Sequence, residues 1–205
     1  MQPHPSRLTE IHVATATASR LRTADEITQG MLDVAREYGF SPVEAHEFAV
    51  VRDMAARLMN HDVSSIETFA AVQTLQPASS LCFREDGAIT AIMGVLLLRE
   101  PAVGPLMTGA FDGVAVQPEL LSRGAEVPAI GYAWGIAATT KTGGAAITAV
   151  GMPLRLGPLG TLTFVTKAVT GAGRHVAITR FGYEPMRGPD DDMLVSRVEN
   201  LGRAA

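Results

Sequence analysis

One cysteine, Cys82, stands in 205 residues. No internal disulfide can form, and a reducing, cytoplasmic setting is expected. No block of Lys or Arg stands out and the net charge is −4. A nucleic acid or an anionic membrane surface is therefore not the expected partner. The longest apolar run, residues 91–98, is interrupted by Gly94 and falls far short of the ~20 residues that cross a bilayer. The first ten residues carry Pro3, His4, Pro5 and Arg7 but no apolar core of a secretion signal. The five histidines, His4, His12, His46, His61 and His175, have no ligand spacing and no HExxH is present, so no metal site is expected. A GxSxG nucleophile elbow is also missing. Internal repeats and low-complexity stretches are absent.

What remains is a globular chain, 47% hydrophobic and 19% charged, long enough for one full core. Its centre is residues 130–150, IGYAWGIAATTKTGGAAITAV. Up to Thr139 large and small residues alternate. Ile130, Tyr132, Trp134 and Ile136 share one strand face; Gly131, Ala133, Gly135 and Ala137 share the other. A turn follows at Thr140, Lys141, Thr142, Gly143 and Gly144, and a helix is expected from Ala145 onward. A glycine turn entering a helix can cradle a phosphate on the free N–H groups of the first turn, or it can be an ordinary tight turn.

Around this centre the pattern predicts an N-terminal part, residues 11–78, after a loose lead at 1–10. Residues 11–19 alternate as a strand. Thr23 with Glu26 forms a capping box for a helix whose stripe is Ile27, Met31, Val34 and Ala35, stopped by Gly39. A second helix is expected from Ser41, with Pro42 in its first position and Phe48, Val51, Met54, Ala55 and Leu58 buried, ending at Asn60, His61 and Asp62. Ser64 or Ser65 caps a third, closing before Pro77. A sheet core, 79–198, opens with a hairpin of residues 81–84 and 88–99 about Glu85-Asp86-Gly87. The Gly/Pro-rich segment 100–128, with a short strand at 111–116 and a short helix at 119–122, reads as a binding loop or as a surface or oligomer contact. The chain leaves the central helix by way of Pro153, forms a strand at 161–170, a helix at 174–181 stopped by Gly182, and a strand at 193–198. Residues 199–205 are a tail. The expected fold is a single α/β (α+β) domain, a mixed, mostly antiparallel sheet flanked by helices.

Two local sequences make the chain resemble the GNAT superfamily of N-acyltransferases. The family's pyrophosphate loop, Gln or Arg, two residues, Gly, one residue, Gly or Ala, falls on Thr140, Gly143 and Ala145, the last two matching. Arg180-Phe181-Gly182-Tyr183-Glu184-Pro185 is similar to the family's closing motif. With the order of elements, the likeness covers residues 81–198. It implies an acyl-CoA, acetyl-CoA by default, as co-substrate, and an amine acceptor. The backbone of Ile136, Ala137, Ala138 and Thr139 would pair with the pantetheine arm. That of Thr140, Lys141, Thr142, Gly143, Gly144 and Ala145 would hold the pyrophosphate, and the small strand face would leave space beside the acyl group.

The likeness also implies a tyrosine where Ile178 stands and an asparagine near Gly171. With those groups missing, no catalytic residue is assigned, and a catalytically silent CoA- or ligand-binding relative is the alternative. Glu85, Glu100, Asp112 and Glu119 are acids that could border the acceptor, or ordinary surface carboxylates. Tyr132 and Trp134 either line a pocket or pack the core, and Cys82 reads as a small core residue. A homodimer is compatible with the long loop.

Overall fold

The computed structural model describes residues 21–59, 61–186 and 192–197. The strand expected at 11–19, the lead, Asn60, Val198 and the tail lie outside them.

The chain forms one mixed sheet with helices on both faces, as its patterning predicts. Helix α1 (Ala24–Glu37) begins with the expected box: the Thr23 hydroxyl accepts from Glu26 N, while the Glu26 carboxylate accepts from Thr23 N at 2.8 Å. Ile27, Met31 and Ala35 point inward. The second expected helix starts late. Residues Phe40–Pro42 are strand β1, at the edge of the sheet, where a proline removes no needed ladder donor. Phe40 fixes the strand by burying its ring 5.5 Å from Phe83. Only after a 3₁₀ turn at Ala45–Glu47 does helix α2 (Phe48–Met59) begin. Helix α3 (Ile66–Leu75) is capped by Ser65, which accepts from Thr68 N.

The hairpin is β2 (Ser80–Glu85) and β3 (Ala88–Leu98), turning through Asp86 and Gly87 with φ of 51° and 81°. Gln76 extends this ladder with a side chain. Its amide accepts from Leu97 N and donates to Leu97 O and Ser122 O, taking the place of a peptide unit. Segment 100–128 differs from expectation. It holds 3₁₀ turns at Glu100–Ala102 and Pro118–Leu120 and a short helix α4 (Val103–Thr108), with no strand at 111–116. There Asp112 Oδ1 accepts from Val114 N and Ala115 N, bending the chain into a loop. Leu106, Val116 and Leu121 make the segment a packed cover for one sheet face.

Strand β4 (Ile130–Ala138) leads into helix α5 (Lys141–Leu156), which starts four residues earlier than expected because Thr140 caps it from outside. The helix also passes through Pro153 instead of ending there; Val150 and Leu154 are buried on either side and hold the turn in place. Strand β5 (Phe164–Lys167) is much shorter than the predicted 161–170. Helix α6 (Gly171–Phe181) is capped by Thr170 and stopped, as predicted, by Gly182 at φ 64°. Strands β6 (Glu184–Pro185) and β7 (Met193–Ser196) complete the sheet, whose order is β1-β2-β3-β4-β5-β7-β6. Every neighbouring pair is antiparallel except β4–β5. Helices α1, α5 and α6 cover one face over Met93, Val95, Leu97 and Phe164. Helices α2, α3 and α4 cover the other over Ile92, Leu96, Leu98, Tyr132 and Val165.

Candidate functional site

The one parallel pair is also the place where the sheet opens. Strands β4 and β5 pair at Gly131/Phe164, Tyr132/Val165 and Ala133/Thr166, and there the pairing ends. Two neighbours pull them apart. Strand β4 stays with β3 as far as Ala138/Ala91, while the chain after β5 turns to β7, Ala168 N donating to Asp192 O at 2.9 Å. The competition shortens β5 and leaves one side of residues 134–138 without a strand partner.

A bulge decides which groups face that gap. Opposite β3, Gly135 pairs with Gly94 and Ala133 with Val95, so Trp134 is one residue too many. Gly131 N donates toward β5, to Thr163 O, whereas Thr139 N donates toward β3, to Thr90 O. Residues eight apart on an unbroken strand would turn the same way. Beyond the bulge, therefore, Ile136 and Ala138 present N–H and C=O to the open side. The bulge also corrects the expected faces. Ile136 lies opposite Met93 and Ala138 opposite Ala91, on the α5 side, while Ala137 lies opposite Ile92 with Trp134 on the α2 side.

A cavity of about 660 Å³ lies at the opening, lined by residues from both faces of the sheet. One arm runs between α5 and α6, past Gly144, Thr148, Thr166, Gly173 and Val176, to Arg155 and Tyr183. The other lies under α2 and α3, lined by Val51, Ala55, Leu58, Phe69, Trp134 and residues 111–114, with His61 and Asp62 among its walls. Of the ten residues expected at a ligand, Ile136, Ala137, Ala138 and Gly144 line the cavity. Thr139, Thr140, Lys141, Thr142, Gly143 and Ala145 do not.

The glycines divide their work. Gly143 is buried, and a Cβ there would sit 2.8 Å from Thr90 O and 3.1 Å from Ala91 Cβ; it lets α5 approach β3. Gly144 meets only Ala138 Cβ, at 4.0 Å, and faces the cavity. The small face expected to leave ligand space is partly filled by the protein itself. Gly131 is filled by the Phe164 ring, and a Cβ on Gly135 would come 3.0 Å from Met59 Cε.

Both helices that flank the gap start with the same device. The Thr140 hydroxyl accepts from Gly143 N at 2.9 Å and the Thr170 hydroxyl from Gly173 N at 3.0 Å. The two N-termini thus stand at the carboxyl ends of two diverging parallel strands, where open α/β sheets bind ligands. The repeated T-x-x-G spacing was readable in the sequence, and the second copy was missed. The first cap is shared with an acid: Thr140 Oγ1 donates to Glu85, whose carboxyl lies below its ordinary range chiefly through that bond.

Arg155 is 4% exposed, donates to Leu159 O and Ser196 O, and stacks 5.0 Å above the Phe164 ring; burial pushes its pKa down. Burial drives the Tyr183 phenol up, so it stays protonated. Ile178, at the position where the resemblance places a tyrosine, is 38% exposed and does not line the cavity. Of the four acids considered from sequence, only Asp112 lines it. No cluster of His, Cys, Asp and Glu among the described residues could hold a metal, and no described helix is long and apolar enough to cross a membrane.

Fold and site together define a mixed α/β protein with a cleft through its sheet at a parallel strand pair. No protein-family model matches the chain, and no curated protein matches it. Among solved structures it is similar to GphF, a GNAT-like decarboxylase in complex with isobutyryl-CoA. The identity is 12% and the TM-score 0.46, over 78% of this chain and 98% of that one. Function is therefore argued from the cleft.

Proposed function

We propose that the cleft binds an acyl-CoA, acetyl-CoA by default, and transfers its acyl group to an amine. The observation that carries this reading is the cavity where β4 and β5 part, lined from both faces of the sheet and edged by open main chain. An extended, amide-bearing pantetheine can add to the free side of β4 as a strand would, pairing with Ile136 and Ala138. Its pyrophosphate would then lie by the first turn of α5, with Lys141 exposed beside it. The thioester would reach the gap near Ala133 and Thr166, open to the second arm. A neutral amine entering there attacks the carbonyl carbon: the C–N bond forms, the C–S bond breaks, and the nitrogen loses one proton while the departing thiolate takes one up.

A catalytically silent acyl-CoA binder is the second reading, favoured by the solvent-facing Ile178. Calorimetry with acetyl-CoA and CoA, followed by thiol release with a panel of amines, separates the two. Binding lost in Gly144→Leu with turnover in the parent supports transfer. Binding without turnover supports the silent reading, and no binding at millimolar ligand overturns both.

A further inference from the structure

The α2-side arm differs in chemistry from the rest of the cavity. Its walls are apolar: Val51, Ala55, Leu58 and Phe69 surround Trp134. The indole is held on two sides, its Nε1 donating to Gly113 O at 2.7 Å and its ring 4.8 Å from that of Phe69. Gly113 O also accepts from Ser64 Oγ, so these groups are engaged with one another, and the buried Ser80 hydroxyl beside them on the lining has no partner. A polar body would lose more hydrogen bonds to water there than one serine hydroxyl replaces.

The carboxylates on this side are Asp62 and Asp112, both solvent-exposed, with His61 next to Asp62. Asp112 uses Oδ1 on Val114 N and Ala115 N, which leaves Oδ2 free, and the Asp62 carboxylate has no partner among the described residues. Of the cavity's lysine and arginine, Arg155 is buried on the α5 side, while Lys167, paired with Met193, follows Val165 onto the sheet face of Trp134, where it is one cation against two carboxylates. We infer that this arm takes a primary amine carried on an apolar, ring-sized body, the body against Trp134 and the ammonium at Asp62 and Asp112. The assignment of the acceptor rests on the acyl-CoA reading, but the arm's own ligand preference is measurable without CoA.

Trp134 is the only tryptophan in the chain, so its fluorescence reports on this wall. Phenethylamine, 2-phenylethanol, spermidine and a lysine-bearing peptide are titrated in the absence of CoA. Saturable binding of phenethylamine is expected, with spermidine and the peptide leaving the signal unchanged. Asp62→Asn with Asp112→Asn should weaken phenethylamine by about fivefold, the scale of exposed ion pairs, and leave 2-phenylethanol unaffected. Leu58→Lys, at a position already 40% exposed, should weaken the amine without unfolding the protein.

Saturation by spermidine or the peptide in place of phenethylamine would overturn the inference, as would equal loss of amine and alcohol in the double variant. Silence toward every amine in a protein that binds acetyl-CoA overturns it and leaves the acyl-CoA reading standing. Phenethylamine binding in a protein that does not bind acetyl-CoA upholds the arm and removes that reading.

Discussion

Gly131 and Phe164 occupy one another's space across the parallel pair. A Cβ on Gly131 would fall 2.3 Å from the Phe164 ring, so the glycine on β4 exists for the aromatic on β5. The same ring carries the Arg155 guanidinium, which ties α5 to Ser196 of β7. Gly131→Ala should cost about 1–3 kcal/mol, the usual range for an overpacked core. Phe164→Leu should recover part of that loss in the double variant, a coupling that denaturant melts of all four proteins measure.

Gly143 and Gly144 are neighbours with opposite tolerances. Gly143→Ala drives a methyl against the Thr90 carbonyl and the cap itself, and should lower stability by about 1–3 kcal/mol. Gly144→Leu has room for its Cβ and replaces a poor helix former, so its melting temperature should hold or rise. Under the proposed function, its isobutyl group fills the cavity wall and acetyl-CoA affinity falls at least about tenfold, equivalent to roughly 1.4 kcal/mol. Thermal shift and calorimetry on both variants separate a folding glycine from a ligand-facing one.

Cys82 is fully buried on β2, and burial pushes its thiol up to about 11. At pH 8 only about one molecule in a thousand then carries a thiolate, the form that reacts. Ellman's reagent should register no thiol in the native protein and one in urea. A rapid native reaction would mean that β2 opens readily. The expected silence also leaves that reagent clean for following CoA release.

The features legible in the sequence are those fixed by a few neighbouring residues. Thr23 with Glu26, Asp86-Gly87 in the hairpin and Gly182 after α6 each act within one turn and stand where the sequence places them, and of the two serines offered as the cap of α3 it is Ser65 that serves. The misses depend on partners far along the chain. Pro42 is in a strand because Phe83 and Leu81 lie alongside, and β5 stops at Lys167 because β7 takes the chain away. The bulge at Trp134 shows only once β3 is set against β4, so alternation alone put Ile136 and Ala137 on the wrong faces. The α2-side arm was illegible for the same reason: His61, Asp62, Asp112 and Trp134 meet only through tertiary packing.

Glu85 links two expectations that pull in opposite directions. Its carboxylate accepts from the Thr140 hydroxyl, which in turn accepts from Gly143 N, so it steadies the first turn of α5. Its folded pKa is depressed, first by that hydrogen bond. Such a group stabilises the fold above its unfolded pKa of about 4.3, and the contribution is lost as pH falls through the lower folded value. Glu85→Gln should therefore melt below the parent at pH 7, with the difference shrinking as pH falls below the unfolded value and gone once the folded carboxyl is protonated as well. The same carboxylate stands where the proposed function puts a pyrophosphate, and like charges repel. Glu85→Gln should thus bind CoA more tightly at low salt, with the advantage shrinking in high salt as the charges are screened. Dephospho-CoA and pantetheine in the same titrations locate the effect: pantetheine, which has no phosphate, should be indifferent to the substitution. Lower stability at pH 7 without any gain for CoA would place the anion away from the first turn of α5, and the ligand's phosphates would have to lie toward α6 and its Thr170 cap.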